Sequence, residues 1–193
     1  MNFKLFIQRI QNIIINPVKT WNAIYSENRP VRVTRNSFLL PLTLLVTVSA
    51  CIGSFIFTHS QLSIIYSVFI GVKYFILLWL VILVSAVILN EITHTLDLGK
   101  SFAVSFKLIS YSMAPFFLCL VVSLIFESLF FINILAFYGL YIFYTGAERM
   151  LHPPEHKKMP MLIAVTVIVI AVFITFNWVL SQLFDRIYFA FIA

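Results

Sequence analysis

Apolar residues fall in five long blocks joined by short polar links. Ahead of them stands a segment in which apolar and polar positions alternate with helical period. The blocks cover residues 38–58, 63–90, 101–126, 129–145 and 161–184. A helix needs roughly 20 apolar residues to cross the hydrocarbon of a bilayer. All five blocks qualify, the fourth being the shortest. Lipid offers no partner to an open backbone, so each block is expected as a helix. The strict alternation of a barrel strand is absent. The block at 63–90 is longer than the ~30 Å core requires, so it should tilt or project beyond it. The expected fold is an all-α integral membrane protein, with five transmembrane helices preceded by one or two short amphipathic interfacial helices. Residues 1–37 form the amphipathic segment and residues 38–193 the five-helix domain.

Within residues 1–37, Phe3, Phe6, Ile7, Ile10, Ile13 and Ile14 recur at the spacing of one helix face. Lys4, Gln8, Gln11 and Asn12 take the other face. Asn16-Pro17 reads as an N-cap followed by proline at the first helical position. A second helix then carries Val18, Trp21, Ile24 and Tyr25 on its apolar side. The stretch SENRP breaks it, and Ser37 is expected to cap the first span. Both short helices are expected to lie on the cytoplasmic leaflet, with Phe3, Phe6, Ile7, Ile10 and Trp21 wedged into it. Packing of the same faces on the span bundle is the alternative. No small-residue cleavage site follows the first residues, so the first span is expected to direct insertion.

Composition agrees with this pattern and adds orientation. Of 193 residues 62% are hydrophobic and 10% charged, with a mean hydropathy of +1.03. Soluble domains carry roughly 25% charged residues, so an ordinary soluble domain, a disordered tail and a disulfide scaffold are all excluded. Cys51 and Cys119 sit inside apolar blocks and read as packing residues. The net charge is +6. Lys4, Arg9, Lys19, Arg29, Arg32 and Arg35 precede the first block, Lys100 lies between the second and third, and Arg149, Lys157 and Lys158 lie between the fourth and fifth. The other links carry no basic residue, and only Arg186 follows the fifth block. With five spans this places the N-terminus in the cytoplasm and the C-terminus outside, in a multi-pass protein of the cell (inner) membrane. No basic run interleaved with aromatics suggests nucleic acid.

Few residues suggest chemistry. His152-Pro153-Pro154-Glu155-His156 spells a zinc-protease signature that needs a helix, and its prolines oppose one. No catalytic constellation, metal site or cofactor is expected. Charges inside spans are costly and are read as functional candidates. Lys107 should snorkel to the cytoplasmic side. Lys73 lies deeper and is expected to pair with Glu127. Pro115 should kink the third span, with Tyr111 and Ser112 covering the freed carbonyls. Tyr138, Tyr141 and Tyr144 form an aromatic ridge beside Gly139, which admits a close neighbour. Small residues four apart (Ser49 and Gly53, Ala50 and Ser54, Ser67 and Gly71, Ser101 and Ser105) suggest that the first three spans pack together.

The stretches INPVKTWNAIY, KLISYSMAPFF and FYGLYIFYTGAERML, with the basic segment and Pro41 between the first two, resemble the bacterial branch of the Yip-domain family, named for Ypt/Rab-interacting proteins. The resemblance covers nearly the whole chain. It implies a five-span bundle with a cytoplasmic N-terminal segment. For eukaryotic members it implies vesicle traffic, membrane shaping and Rab GTPase binding. The long N-terminal region of those members is absent here.

The expected function is a non-enzymatic membrane scaffold or organiser. Its partners would be the bilayer, anionic lipids, and another membrane protein or a second copy. Trp21 would anchor at the interface, and Arg29, Arg32, Arg35, Lys157 and Lys158 would hold headgroups. The alternative is a small transporter with a polar path near Lys73, Glu127, Tyr111 and Asn133, with the break at Pro115. No inverted repeat supports it.

Overall fold

The computed structural model describes residues 3–27, 29–57 and 63–192. Among these residues the chain is helical, with no strand. Five of its helical segments are long and apolar enough to cross a membrane: Val31–Phe57, Ile64–Thr95, Phe102–Ile125, Glu127–Leu151 and Glu155–Ala190. Two short helices precede them, α1 (Phe3–Ile15) and α2 (Pro17–Glu27). Pro17 opens α2 as its sequence predicts, because the missing N–H is one the first turn would not use.

The first span begins earlier than expected. A short α3 (Val31–Thr34) runs through a π-helical turn at Arg35–Leu39 into α4 (Leu40–Phe57). Ser37 therefore lies within a continuous helix instead of capping one. Pro41 accounts for the wide turn. It has no N–H to donate, and its ring crowds the carbonyl four residues back. The Leu40 N–H reaches to Arg35, five residues back. Thr58, the last residue of the expected first block, lies outside the described residues.

The second span, α5 (Ser63–Thr95), packs against the first, third and fifth. At about 1.5 Å per residue its 33 residues extend to ~50 Å, well beyond the hydrocarbon. The third span breaks where proline demanded it. It divides into α6 (Phe102–Ser112) and α7 (Ala114–Ile125), with Met113 at the joint and Pro115 in the first turn of α7. The fourth span starts as a 3₁₀ helix, Glu127–Phe137, and continues as α8 (Tyr138–Leu151). The fifth, α9 (Glu155–Ile192), runs past both expected ends.

Two glycines fix how the first three spans meet. A Cβ on Gly53 would fall 1.8 Å from the carbonyl oxygen of Leu124 in α7. One on Gly71 would fall 2.1 Å from Sγ of Cys51 in α4. Both glycines belong to the small-residue pairs in the sequence, and without a side chain they let backbones approach closely. Cys51 and Cys119 are free thiols.

The N-terminal helices correct one expectation. Phe6, Ile10, Ile13, Trp21 and Ile24 are buried in the same apolar core as the spans. They face protein and do not wedge into a leaflet. Ile7 keeps an exposed side chain, and the side chain of Phe3 lies outside the described residues. The physical reason is a better partner. The end of the bundle offers a fixed apolar surface and, in the Ile142 carbonyl, an acceptor already positioned for the Trp21 indole.

Candidate functional site

Two places combine cavity or charge with unmet chemistry. The first is a groove of about 270 Å³ beside the break in the third span. Its walls are Ile109, Met113 and Phe116 on one side, Phe137 and Leu140 on the second, and Val165, Val169 and Phe173 on the third. These residues come from the middle of three spans. The rim residues Phe137 and Ile170 are exposed, so the groove opens sideways, partway along the spans. Gly139 brings α8 against the joint, where a Cβ would meet the Ser112 carbonyl oxygen at 2.4 Å.

Polar groups in the groove are few. Thr166 donates to the Leu162 carbonyl at 2.7 Å, and Asn133 donates to the Phe130 carbonyl at 2.9 Å. The Ser112 hydroxyl is buried and has no partner among the described residues. It does not cover a carbonyl freed by Pro115. Nor does Tyr111, whose hydroxyl faces Thr34 of the first span. The tyrosine ridge is structural at one end: the Tyr138 hydroxyl donates to the Ile14 carbonyl at 2.8 Å, and its ring stacks at a tilt on Tyr141.

The second place lies under the N-terminal helices. Trp21 is fully buried. It donates from Nε1 to the Ile142 carbonyl at 2.9 Å and meets the Tyr111 ring edge-on at 5.7 Å. Gly146 supplies the seat, since a Cβ there would meet the indole at 2.5 Å. Beside this anchor, Glu27 pairs with Arg9 and, at 3.1 Å, with Arg29. The Arg9 guanidinium stands 6.0 Å from the centre of the Tyr111 ring. Lys107, one turn before Tyr111, is only 4% exposed as a whole residue, its stem covered by the protein.

Other predicted residues find different partners. Lys73 donates to Ser181 of α9 at 3.3 Å and stands 5.5 Å from the Tyr74 ring centre. The carboxylate whose field reaches it is Asp185. The expected pairing with Glu127 is thereby replaced by one across the second and fifth spans. Lys158 lies 2.8 Å from Glu148 and 2.7 Å from Glu155, and Lys157 donates to the Leu96 carbonyl at 2.8 Å. Both lysines are therefore held within the protein and not offered to headgroups. Lys157 also ties the link before α9 to the end of α5, so the two basic links and the N-terminal helices share one end of the bundle. Arg32 and Arg35 remain exposed at that end. Lys100 and Glu91 form an exposed ion pair, 2.9 Å apart. His152 adopts a left-handed conformation (φ 48°), and two prolines separate it from α9.

Sequence reasoning missed Ser181, Glu148, Arg9 and the groove. Glu155 and Lys158, three apart, were a readable helix pair. The others meet across long stretches of chain and left no local signal.

A model of the Yip1 domain family matches residues 12–176. The chain belongs to the Yip1 domain family. Neither curated proteins nor solved structures give a match. The Yip1 match encloses the broken third span, the groove and the Trp21 anchor. Arg9, Ser181 and Asp185 lie beyond its limits.

Proposed function

We propose that this Yip1-domain protein is a non-enzymatic membrane scaffold that holds lipid within its span bundle. The groove carries this reading. It is a hydrocarbon-lined cleft at mid-bilayer depth, open to the side and large enough for part of an acyl chain. Arg32 and Arg35, with Arg29, support it at headgroup level, each worth about 1 kcal/mol near an anionic surface. A transporter would need a polar path from Lys73. The groove includes neither Lys73 nor Glu127, and Lys73 is tied to Ser181.

The test uses a phospholipid with a photoreactive group in mid-chain, with the adducts mapped by mass spectrometry. Labelling is expected at Met113 and Val169, and Val169→Trp should abolish the adduct at Met113. Labelling confined to outward residues such as Val48 and Ile174 would remove the groove from the proposal. Its orientation is proposed as N-terminus cytoplasmic and C-terminus outside the inner membrane, following the basic residues. Reporters active in one compartment only, fused at each end, should give opposite signals. Matching signals would reverse this part of the reading.

A further inference from the structure

A buried lysine requires a counter-charge. Taking an ammonium out of water is costly unless it is paired and hydrogen-bonded. Lys107 is 4% exposed as a whole residue, so its ammonium keeps only a narrow opening to water, and it makes no hydrogen bond or ion pair among the described residues. Glu27 acts on it through space, without contact. That carboxylate is already committed, because the same oxygen, Oε2, takes both Arg9 and Arg29. Arg9 and Arg29 thus meet on one anion, and Lys107 lies one turn along α6 from Tyr111, the ring on which the Arg9 guanidinium stands. The cluster carries a net charge of +2, and most guanidinium N–H donors are left over. Tyr111 closes its inner side.

We propose that Arg9, Arg29 and Lys107 form a binding site for a phosphate group beneath the N-terminal helices. Guanidinium forks match the oxygens of a phosphate, and an ammonium adds a point charge. A phosphate here gives Lys107 the close anion that Glu27 does not provide. The depth fits a headgroup: Lys107 stands five residues past the start of α6, about 8 Å along its axis. The phosphate of a lipid and free inorganic phosphate share the chemistry that this cluster recognises. The site uses residues apart from the groove and does not rest on it.

The test is thermal melting of the full chain in a neutral detergent, with three probes titrated separately. They are inorganic phosphate, dioctanoyl phosphatidic acid and, as a phosphate-free control, dioctanoylglycerol. A ligand that binds the folded state raises the melting temperature in a saturable way. A saturable rise is expected with phosphatidic acid, larger than any that the acyl chains of the diacylglycerol give through the groove, and only the phosphate-dependent part should be lost in Lys107→Gln. A rise with phosphatidic acid alone assigns the site to lipid, and a rise with inorganic phosphate as well assigns it to the phosphate itself. Lys107→Gln should weaken binding at least tenfold, and Arg29→Gln severalfold. Lys158→Gln should leave the affinity unchanged. Lys107→Gln should melt no lower than the parent without ligand, because it removes a buried charge. The proposal is overturned if neither phosphate probe gives a saturable rise, if the diacylglycerol gives an equal one, or if Lys107→Gln binds as tightly as the parent.

Discussion

Trp21→Ala should lower stability by about 3–5 kcal/mol, the range for deleting a large buried aromatic side chain. The indole is fully buried, donates to the Ile142 carbonyl and rests on Gly146 and Tyr111. No other side chain of α2 makes all these contacts, so its loss should free the N-terminal pair before the spans separate. Two measurements check this. The apparent melting temperature in detergent should fall, and trypsin should cut after Lys19 faster than in the parent. Gly146→Leu should act in the same direction, because it fills the seat from the other side. Unchanged melting and cleavage in Trp21→Ala would mean that the N-terminal helices are held by something else.

Gly53→Val should be as damaging, through the opposite error. The atom that a Cβ meets is a backbone carbonyl oxygen, that of Leu124. It cannot swing aside as a side-chain end can, so α4 and α7 must move apart. Overpacking in a tight core costs about 1–3 kcal/mol and occasionally more, and the rigid obstacle here argues for the upper end. Ile52→Val, at an exposed neighbouring position, is the matched control and should melt like the parent. Equal melting of Gly53→Val and the control would refute the close contact between the first and third spans.

Much of this architecture was readable in advance, and the reasons are local. Spans follow from runs of apolar residues, which need no partner to be recognised. The break at Met113 follows from Pro115, and the tight contacts at Gly53 and Gly71 follow from small residues at helical spacing. The misreadings concern partners. Phe6, Ile10, Ile13 and Trp21 form one apolar stripe, and a stripe looks the same whether lipid or protein covers it. Lys73 chose Ser181 over Glu127 across 108 positions of chain, a distance at which residue spacing carries no information. The turn at Arg35–Leu39 has a local cause in Pro41, which lacks an N–H and crowds the carbonyl four residues back. The groove had no signature at all. It is the gap left where a broken helix, a 3₁₀ helix and a straight helix fail to fill the space between them.

The bond between Trp21 and Ile142 joins positions 121 residues apart, and this sets an order of events during synthesis. Ribosomes add about 5–20 residues per second. The N-terminal helices thus emerge roughly 6–24 s before their docking surface exists. Over that interval the apolar stripe of α1 and α2 has none of its final partners in α8 to cover it. A cover on that stripe during this interval would have to leave before Trp21 meets Ile142.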